Sequence, residues 1–206
     1  KAGHTGSLDP LASGLLPIWL GQATKGAQFL LDGDKRYFVR AKLGQVSSTG
    51  DSEGEVVNFG STQGINESSI RTILSQFIGN INQVPPMYSA LKRNGTPLYK
   101  LARKGIEIER SPRPVTIYEI NFLDLDDAVL SLEVFCSKGT YIRTLVEDIG
   151  KSLGCGGHVV ELRRTGFAHF DLSESKTYEQ LSKLKEQNLE SLDSVILGAD
   201  EMIPNL

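Results

Sequence analysis

The sequence predicts an α+β fold with a mixed, largely antiparallel central sheet flanked by helices. Three observations lead there. Alternating, β-rich stretches recur: "RYFVRAKLG" (36–44), then "PVTIYEINFLDL" (114–125) and "VLSLEVFCS" (129–137), the last two joined by the turn "DDA". Two other stretches, 66–79 and 140–154, carry apolar residues at helical spacing. The two kinds mix without a regular βαβ rhythm, which argues against a doubly wound parallel sheet.

Taken in chain order, "ATKGAQFLL" (23–31) reads as a short helix, and "DGDK" turns the chain into the strand 36–44. "STGDSEGE" (48–55) is a polar loop that lacks the full pattern of a calcium loop. In "NESSIRTILSQFIG" (66–79), Asn66 is placed to cap a helix, with Ser69 at its third position and a glycine to stop it. "VPPMYSALKRNGTPLY" (84–99) suggests a strand and a turn at Asn94-Gly95, and "LYKLARKG" (98–105) a short basic helix closed by Gly105. Ile142, Leu145, Val146, Ile149 and Leu153 mark one face of a helix over 140–154. "GHVVELRRTGFAHF" (157–170) returns to strand, and "TYEQLSKLKEQ" (177–187) is a polar helix.

The 206 residues, 39% of them hydrophobic, suffice for one domain with a sizeable core. No apolar stretch approaches the roughly 18 residues of a membrane span, and no leader resembles a signal peptide. Cys136 and Cys155 have neither disulfide-framework nor zinc-site spacing, which predicts two reduced thiols in a cytoplasmic protein. The chain starts at Lys1, so its natural N-terminus is expected upstream. The net charge of -3 is unevenly spread: residues 171–206 are strongly acidic, whereas 92–113 hold Lys92, Arg93, Lys100, Arg103, Lys104, Arg110 and Arg113 against Glu107 and Glu109. Such a segment suits a nucleic-acid phosphate backbone, or equally a solvated, salt-bridged surface.

One residue is out of place. In "GHTGSLDPLASGLL" (3–16), Asp9 stands among Leu8, Leu11, Leu15 and Leu16. A carboxylate in apolar surroundings loses hydration unless a cation compensates. Arg143, at the start of the helix after "SKGT", can pair with it bidentately and hold it ionised, or equally make an ordinary surface ion pair. Tyr37 on its strand offers a stacking face and a hydroxyl. Leu162 reads as a strand core residue, and His4 lies in a Gly-x-x-Gly turn. There is no phosphate-binding glycine loop, no His-Glu-x-x-His and no nucleophile elbow, so no cofactor or metal is expected.

These segments carry a resemblance. "AGHTGSLDPLASGLLPIWLGQATK" (2–25), "DKRYFVRAKLGQVSSTGDSEGEV" (34–56), "VPPMYSALKRNGTPLYKLARKGIEIERSPRPVTIYEI" (84–120) and "CSKGTYIRTLVEDIGKSLGCGGHVVELRRTGFA" (136–168) resemble, in the same order, the signature of the TruB family of pseudouridine synthases. The block 84–120 is similar to the stand-alone bacterial branch. The resemblance implies isomerisation of the uridine at position 55 in the T loop of tRNA. It implies Asp9 as nucleophile, Tyr37 stacked on the flipped uracil and implicated in proton removal, and Arg143 paired with Asp9. Leu162 would close the pocket and His4 contact the extruded RNA. Tyr88, Lys25, Lys92, Arg93, Arg103 and Lys104 would hold the RNA arm. The partner implied is the tRNA T stem-loop, for a monomer in the cytoplasm with no obligatory protein partner. Residues 1–170 are expected to form the catalytic domain without its first strand segment, and 171–206 a helical extension with no PUA domain after it. A non-catalytic tRNA-binding or folding chaperone would use the same basic face without needing Asp9 or Arg143. A glycosidase would need a second acid beside Asp9.

Overall fold

Alternation along the strands becomes alternation across a sheet. The computed structural model describes residues 1–187 and 190–203. Strands β1 (Ala2–His4), β2 (Ser13–Gly14) and β3 (Ile18–Leu20) are followed by a 3₁₀ helix (Gly21–Lys25), α1 (Ala27–Leu30) and β4 (Lys35–Leu43). A small hairpin of β5 (Gln45–Ser47) and β6 (Val56–Asn58) leads to α2 (Glu67–Ser75) and β7 (Gly79–Gln83). A second small hairpin, β8 (Lys92–Arg93) with β9 (Thr96–Pro97), precedes α3 (Leu98–Ala102). The long hairpin of β10 (Arg113–Asp126) and β11 (Val129–Cys136) is followed by α4 (Ile142–Ser152), β12 (Gly157–Phe167) and β13 (Phe170–Asp171). Three short helices, α5 (Tyr178–Gln187), α6 (Glu190–Asp193) and α7 (Ala199–Met202), come last.

Among the described residues the central sheet runs β13–β12–β4–β11–β10–β7, with β2 alongside β12. Every pairing is antiparallel except β2 with β12, so the sheet is mixed and largely antiparallel, as expected. Its buried face carries Val39, Ala41 and Leu43 of β4 and Leu130, Leu132, Val134 and Cys136 of β11. The period of two in each strand puts these residues on one side. Ile70 and Leu74 of α2 and Ile142, Leu145, Val146 and Ile149 of α4 cover them. A smaller cluster of Leu15, Trp19, Leu30 and Phe167 seats the N-terminal segment, with Met202 and Ile203 packed against it. Cys136 and Cys155 are buried and unpaired. No helix among the described residues is long and apolar enough to cross a membrane.

Local chemistry sets the boundaries. Asn66 accepts from the Ser69 amide (3.0 Å) and Ser69 Oγ accepts from the Asn66 amide (3.1 Å), the reciprocal cap of α2. Asp127 and Ala128 adopt φ of 43° and 60°, the left-handed geometry of a tight hairpin between β10 and β11. The strand and the Asn94-Gly95 turn expected within 84–99 form as the short hairpin β8–β9, and a longer strand, β7, precedes them at Gly79–Gln83. Pro85 and Pro86 cannot donate to a ladder, and the chain leaves the sheet there as an irregular strap. The expected helix over 23–31 is divided at Gly26 into the 3₁₀ helix and α1. Within the expected extension 171–206, residues 188–189 and 204–206 lie outside the described residues.

The tightest approach involves Gly14. Its φ is +105°, and a Cβ there would lie 2.2 Å from the Arg164 carbonyl oxygen. Both the dihedral and the contact exclude an L side chain. Gly14→Ala is expected to destabilise the fold by roughly 3 kcal/mol or more, read as a lower urea midpoint at unchanged slope.

Candidate active site

Asp9 begins a turn. Its carbonyl accepts the Ala12 amide at 2.8 Å, and Pro10 supplies the fixed φ that a turn's second residue favours. The loop carrying it is laced to β12 at both ends by Arg164. Arg164 Nε donates to the Leu15 carbonyl (2.8 Å) and a terminal nitrogen donates to the Gly6 carbonyl (2.9 Å). The Leu15 amide donates back to the Arg164 carbonyl at 2.8 Å. Arg164 is 1% exposed, so its charge is spent inside the protein on fixing residues 6–15.

Opposite Asp9 stands Arg143, in the first turn of α4. Arg143 Nε lies 2.9 Å from Asp9 Oδ2, which brings together the two residues that the sequence singled out. The pairing is not bidentate as expected. One terminal nitrogen donates to the Thr49 carbonyl (3.0 Å) and lies 3.6 Å from Asp51 Oδ2. The other donates to the Tyr88 carbonyl at 2.8 Å. The guanidinium fork thus spans three segments, and only one edge is left for Asp9. Exposure divides the roles, since the Arg143 side chain is 5% exposed and that of Asp9 39%. A ligand can touch the carboxylate but not the cation that holds it.

Burial raises the Asp9 carboxyl above its ordinary 3.8, Arg143 pulls it down, and the neighbouring Asp51 pushes it up again. Desolvation therefore outweighs the ion pair, and Arg143 offsets part of the cost of ionisation rather than all of it. Asp51 is itself buried, accepting from Thr49 Oγ1 (2.6 Å) and from the Glu53 amide (3.1 Å).

Tyr37 sits on β4 directly across from Arg164 of β12, packed against the main core. Burial, reinforced by Cys136, pushes its phenol up to about 12, while Arg164 opposes the shift. It is therefore a neutral ring at neutral pH. Comparison of wild type with Tyr37→Phe by ultraviolet titration is expected to show no extra phenolate at about pH 10, the ordinary tyrosine value. About half a phenolate of difference there would place the ring in water. Leu162, 6% exposed, pairs with Val39 next to Tyr37 and belongs to the same core.

The remaining expected residues are more scattered. His4 ends strand β1, paired with Ile18, instead of lying in a turn, because β1 and β3 form their own two-stranded sheet. Lys25 is exposed at the end of the 3₁₀ helix. Lys92 and Arg93 are exposed on β8, and Arg103 and Lys104 after α3, with Arg103 5.5 Å over the Tyr99 ring. Tyr88 enters the site through its backbone, and this ties the basic arm to Arg143. A cleft of about 510 Å³ beside it is lined by Thr49, Met87, Tyr88, Arg110, Thr144 and Glu147, and Asp9 is not part of its lining. No group of three or more His, Cys, Asp or Glu among the described residues is placed to hold a metal ion.

Sequence reasoning passed over Asp51 and Arg164. Nothing in "STGDSEGE" separates Asp51 from Glu53 or Glu55, which are equally acidic. Arg164 carried a usable signal: it is two residues from Leu162 on one strand, so an inward Leu162 implies an inward Arg164.

The chain as a whole is similar to known proteins. The family model described as "TruB family pseudouridylate synthase (N terminal domain)" matches residues 1–142, and "tRNA pseudouridylate synthase B C-terminal domain" matches 143–203. A tRNA pseudouridine synthase B of Actinobacillus pleuropneumoniae is 54% identical over 100% of this chain and 68% of its own length. Another, of a Shewanella species, is 52% identical over 98% of this chain and 66% of its own. The chain thus spans about two thirds of these relatives. Among solved structures, a chain of "Crystal Structure of a Cbf5-Nop10-Gar1 Complex" superposes with a TM-score of 0.73 at 29% identity, over 98% of this chain and 52% of that one. A chain of "Structure of H/ACA RNP bound to a substrate RNA containing 2'-deoxyuridine" gives 0.70 at 26% identity, over 98% and 51%.

Proposed function

Since the chain belongs to the TruB family of pseudouridylate synthases, we propose that it isomerises uridine to pseudouridine in tRNA, at the T-loop uridine, with Asp9 as the nucleophile. The observation that carries this reading is the contact between a reachable carboxylate and a sequestered guanidinium, Asp9 with Arg143.

In the reaction the N1–C1′ glycosidic bond breaks, the uracil turns, C5 bonds to the ribose C1′, the C5 proton leaves, and N1 takes up a proton, so that the product is an isomer of the substrate. The base must first leave its stack, at a cost of a few kcal/mol. Stacking on the Tyr37 face would return about 1–3 kcal/mol. Asp9 must attack as the anion, and a poorly hydrated carboxylate is the more reactive for it. Tyr37 enters neutral, so any proton it takes up must follow loss of its own. Leu162 would line the base site, and His4 would meet RNA next to it. Tyr88, Lys25, Lys92, Arg93, Arg103 and Lys104 would hold the arm of the substrate, mostly through phosphates.

We read residues 1–170 as the catalytic domain and 171–206 as an extension docked on it. Packing of Leu172, Met202 and Ile203 against the cluster of Trp19 and Phe167 supports that reading. We read the protein as a monomer that acts without an obligatory protein partner. The two unpaired thiols suit the cytoplasm.

The test is tritium release from a T-arm hairpin labelled at uridine C5, with the full-length protein. Isomerisation transfers the label to water. A chaperone binds the hairpin and releases none, and a glycosidase leaves an abasic site.

A further inference from the structure

One buried polar side chain has no part in the chemistry above. Gln83, at the end of β7, is 2% exposed. Burying an amide is costly unless its donor and acceptor are both used. Gln83 spends both on the same residue. Its Oε1 accepts the Tyr141 amide at 3.0 Å, and its Nε2 donates to the Tyr141 carbonyl at 3.3 Å. The side chain thus imitates a neighbouring strand for one residue.

Tyr141 is the residue before α4. Its backbone is extended (φ -99°, ψ 108°), and no side chain caps the helix there. Its carbonyl also accepts the Leu145 amide at 3.0 Å, the first bond of the helix. Two residues further on is Arg143. Five residues after Gln83 is Tyr88, whose carbonyl takes one Arg143 nitrogen. Gln83 therefore sits where the strap 84–88 and the start of α4 meet, and both hold the guanidinium.

We infer that Gln83 is a positioning residue for Arg143: its double hydrogen bond to Tyr141 sets where α4 begins and so where the guanidinium meets Asp9. This rests on the catalytic reading of Asp9 and Arg143. A displacement of one ångström at a reacting group can cost about 10²-fold in rate, so a bracket of this kind has leverage without touching substrate.

The experiment pairs amide exchange with kinetics in the full-length protein. Gln83→Met keeps the volume and removes both bonds. Exchange at Tyr141 is expected to quicken about tenfold or more. The kcat is expected to fall about tenfold or more, with tRNA affinity within about twofold. Leu74→Ala, a core truncation in α2, shows what destabilisation alone does to kcat. Should Q83M not fold, Gln83→Glu serves instead. A protonated carboxyl can make both bonds, whereas an ionised one sets oxygen against the Tyr141 carbonyl. The ratio of Q83E to wild-type kcat is then expected to fall as pH rises from about 6 to 9. Unchanged Tyr141 exchange, a Q83M kcat no lower than that of L74A, or a Q83E ratio that does not fall with pH would overturn the proposal. Failure of the wild type to release tritium sinks the functional reading instead, and the exchange measurement still decides whether the bracket exists.

Discussion

Asp9→Asn is expected to fold, to bind tRNA and to yield no pseudouridine, with a loss of about 10⁴-fold or more. An amide is nearly the size and shape of the carboxyl group, and the loop that carries it is held by Arg164 and not by its own side chain. Arg143 keeps Asp51 and the Thr49 and Tyr88 carbonyls. What disappears is the anion. Stability should not suffer, and the sign follows from linkage. Burial raises the folded carboxyl above 3.8, so between the unfolded and folded values the native state binds the extra proton. Stability attached to Asp9 is therefore full below about 3.8, the unfolded value, and declines as pH rises through the folded one. Asn carries no such cost, and the thermal midpoint of D9N at neutral pH should equal or exceed that of the wild type. A midpoint several degrees lower would mean that Asp9 holds the fold together; appreciable turnover would remove it from the chemistry.

Arg143→Lys is expected to lower kcat by about 10²-fold or more, even though the charge is kept. The guanidinium reaches Asp9, Asp51, Thr49 and Tyr88 from nitrogens fixed in one plane. An ammonium is a single centre at the end of a flexible stem and cannot meet all four. The acceptors it abandons are buried or half-buried, and each unsatisfied one costs about 1–3 kcal/mol. Removing the charge altogether, as in Arg143→Met, leaves buried Asp51 without its cation, for which about 3–5 kcal/mol of stability is the expected loss. The two variants therefore separate the effects. R143K should fold and turn over slowly, and R143M should unfold at markedly lower denaturant. Near-normal turnover by R143K would show that one charge near Asp9 is enough.

Much of this architecture was legible because the relevant signals are local. The Asn66–Ser69 cap, the β10–β11 turn and the apolar stripe of α4 each declare themselves within a few residues. The pairing of Asp9 with Arg143 was legible in two steps: an acid among leucines needs a cation, and the resemblance to the TruB family implied which one. How Arg143 distributes its bonds was not, since Thr49 and Tyr88 contribute backbone carbonyls, which every residue has. Asp51 was hidden by its composition, as one acid in an acidic loop. Gln83 was hidden because its role depends on the geometry at Tyr141, far along the chain. The strand at 79–83 was passed over because "GNINQ" holds a single β-former, Ile81, among polar residues.

The lacing of the first loop by Arg164 has a consequence for how the protein comes into being. Gly6 and Leu15 are held by a side chain 158 and 149 residues away. Contacts of such long range form late, because the intervening chain must first be ordered. As the protein leaves the ribosome, the segment bearing Asp9 has nothing to grip until β12 has also been made. The proposed site thus takes shape only once the far edge of the sheet has been made and paired.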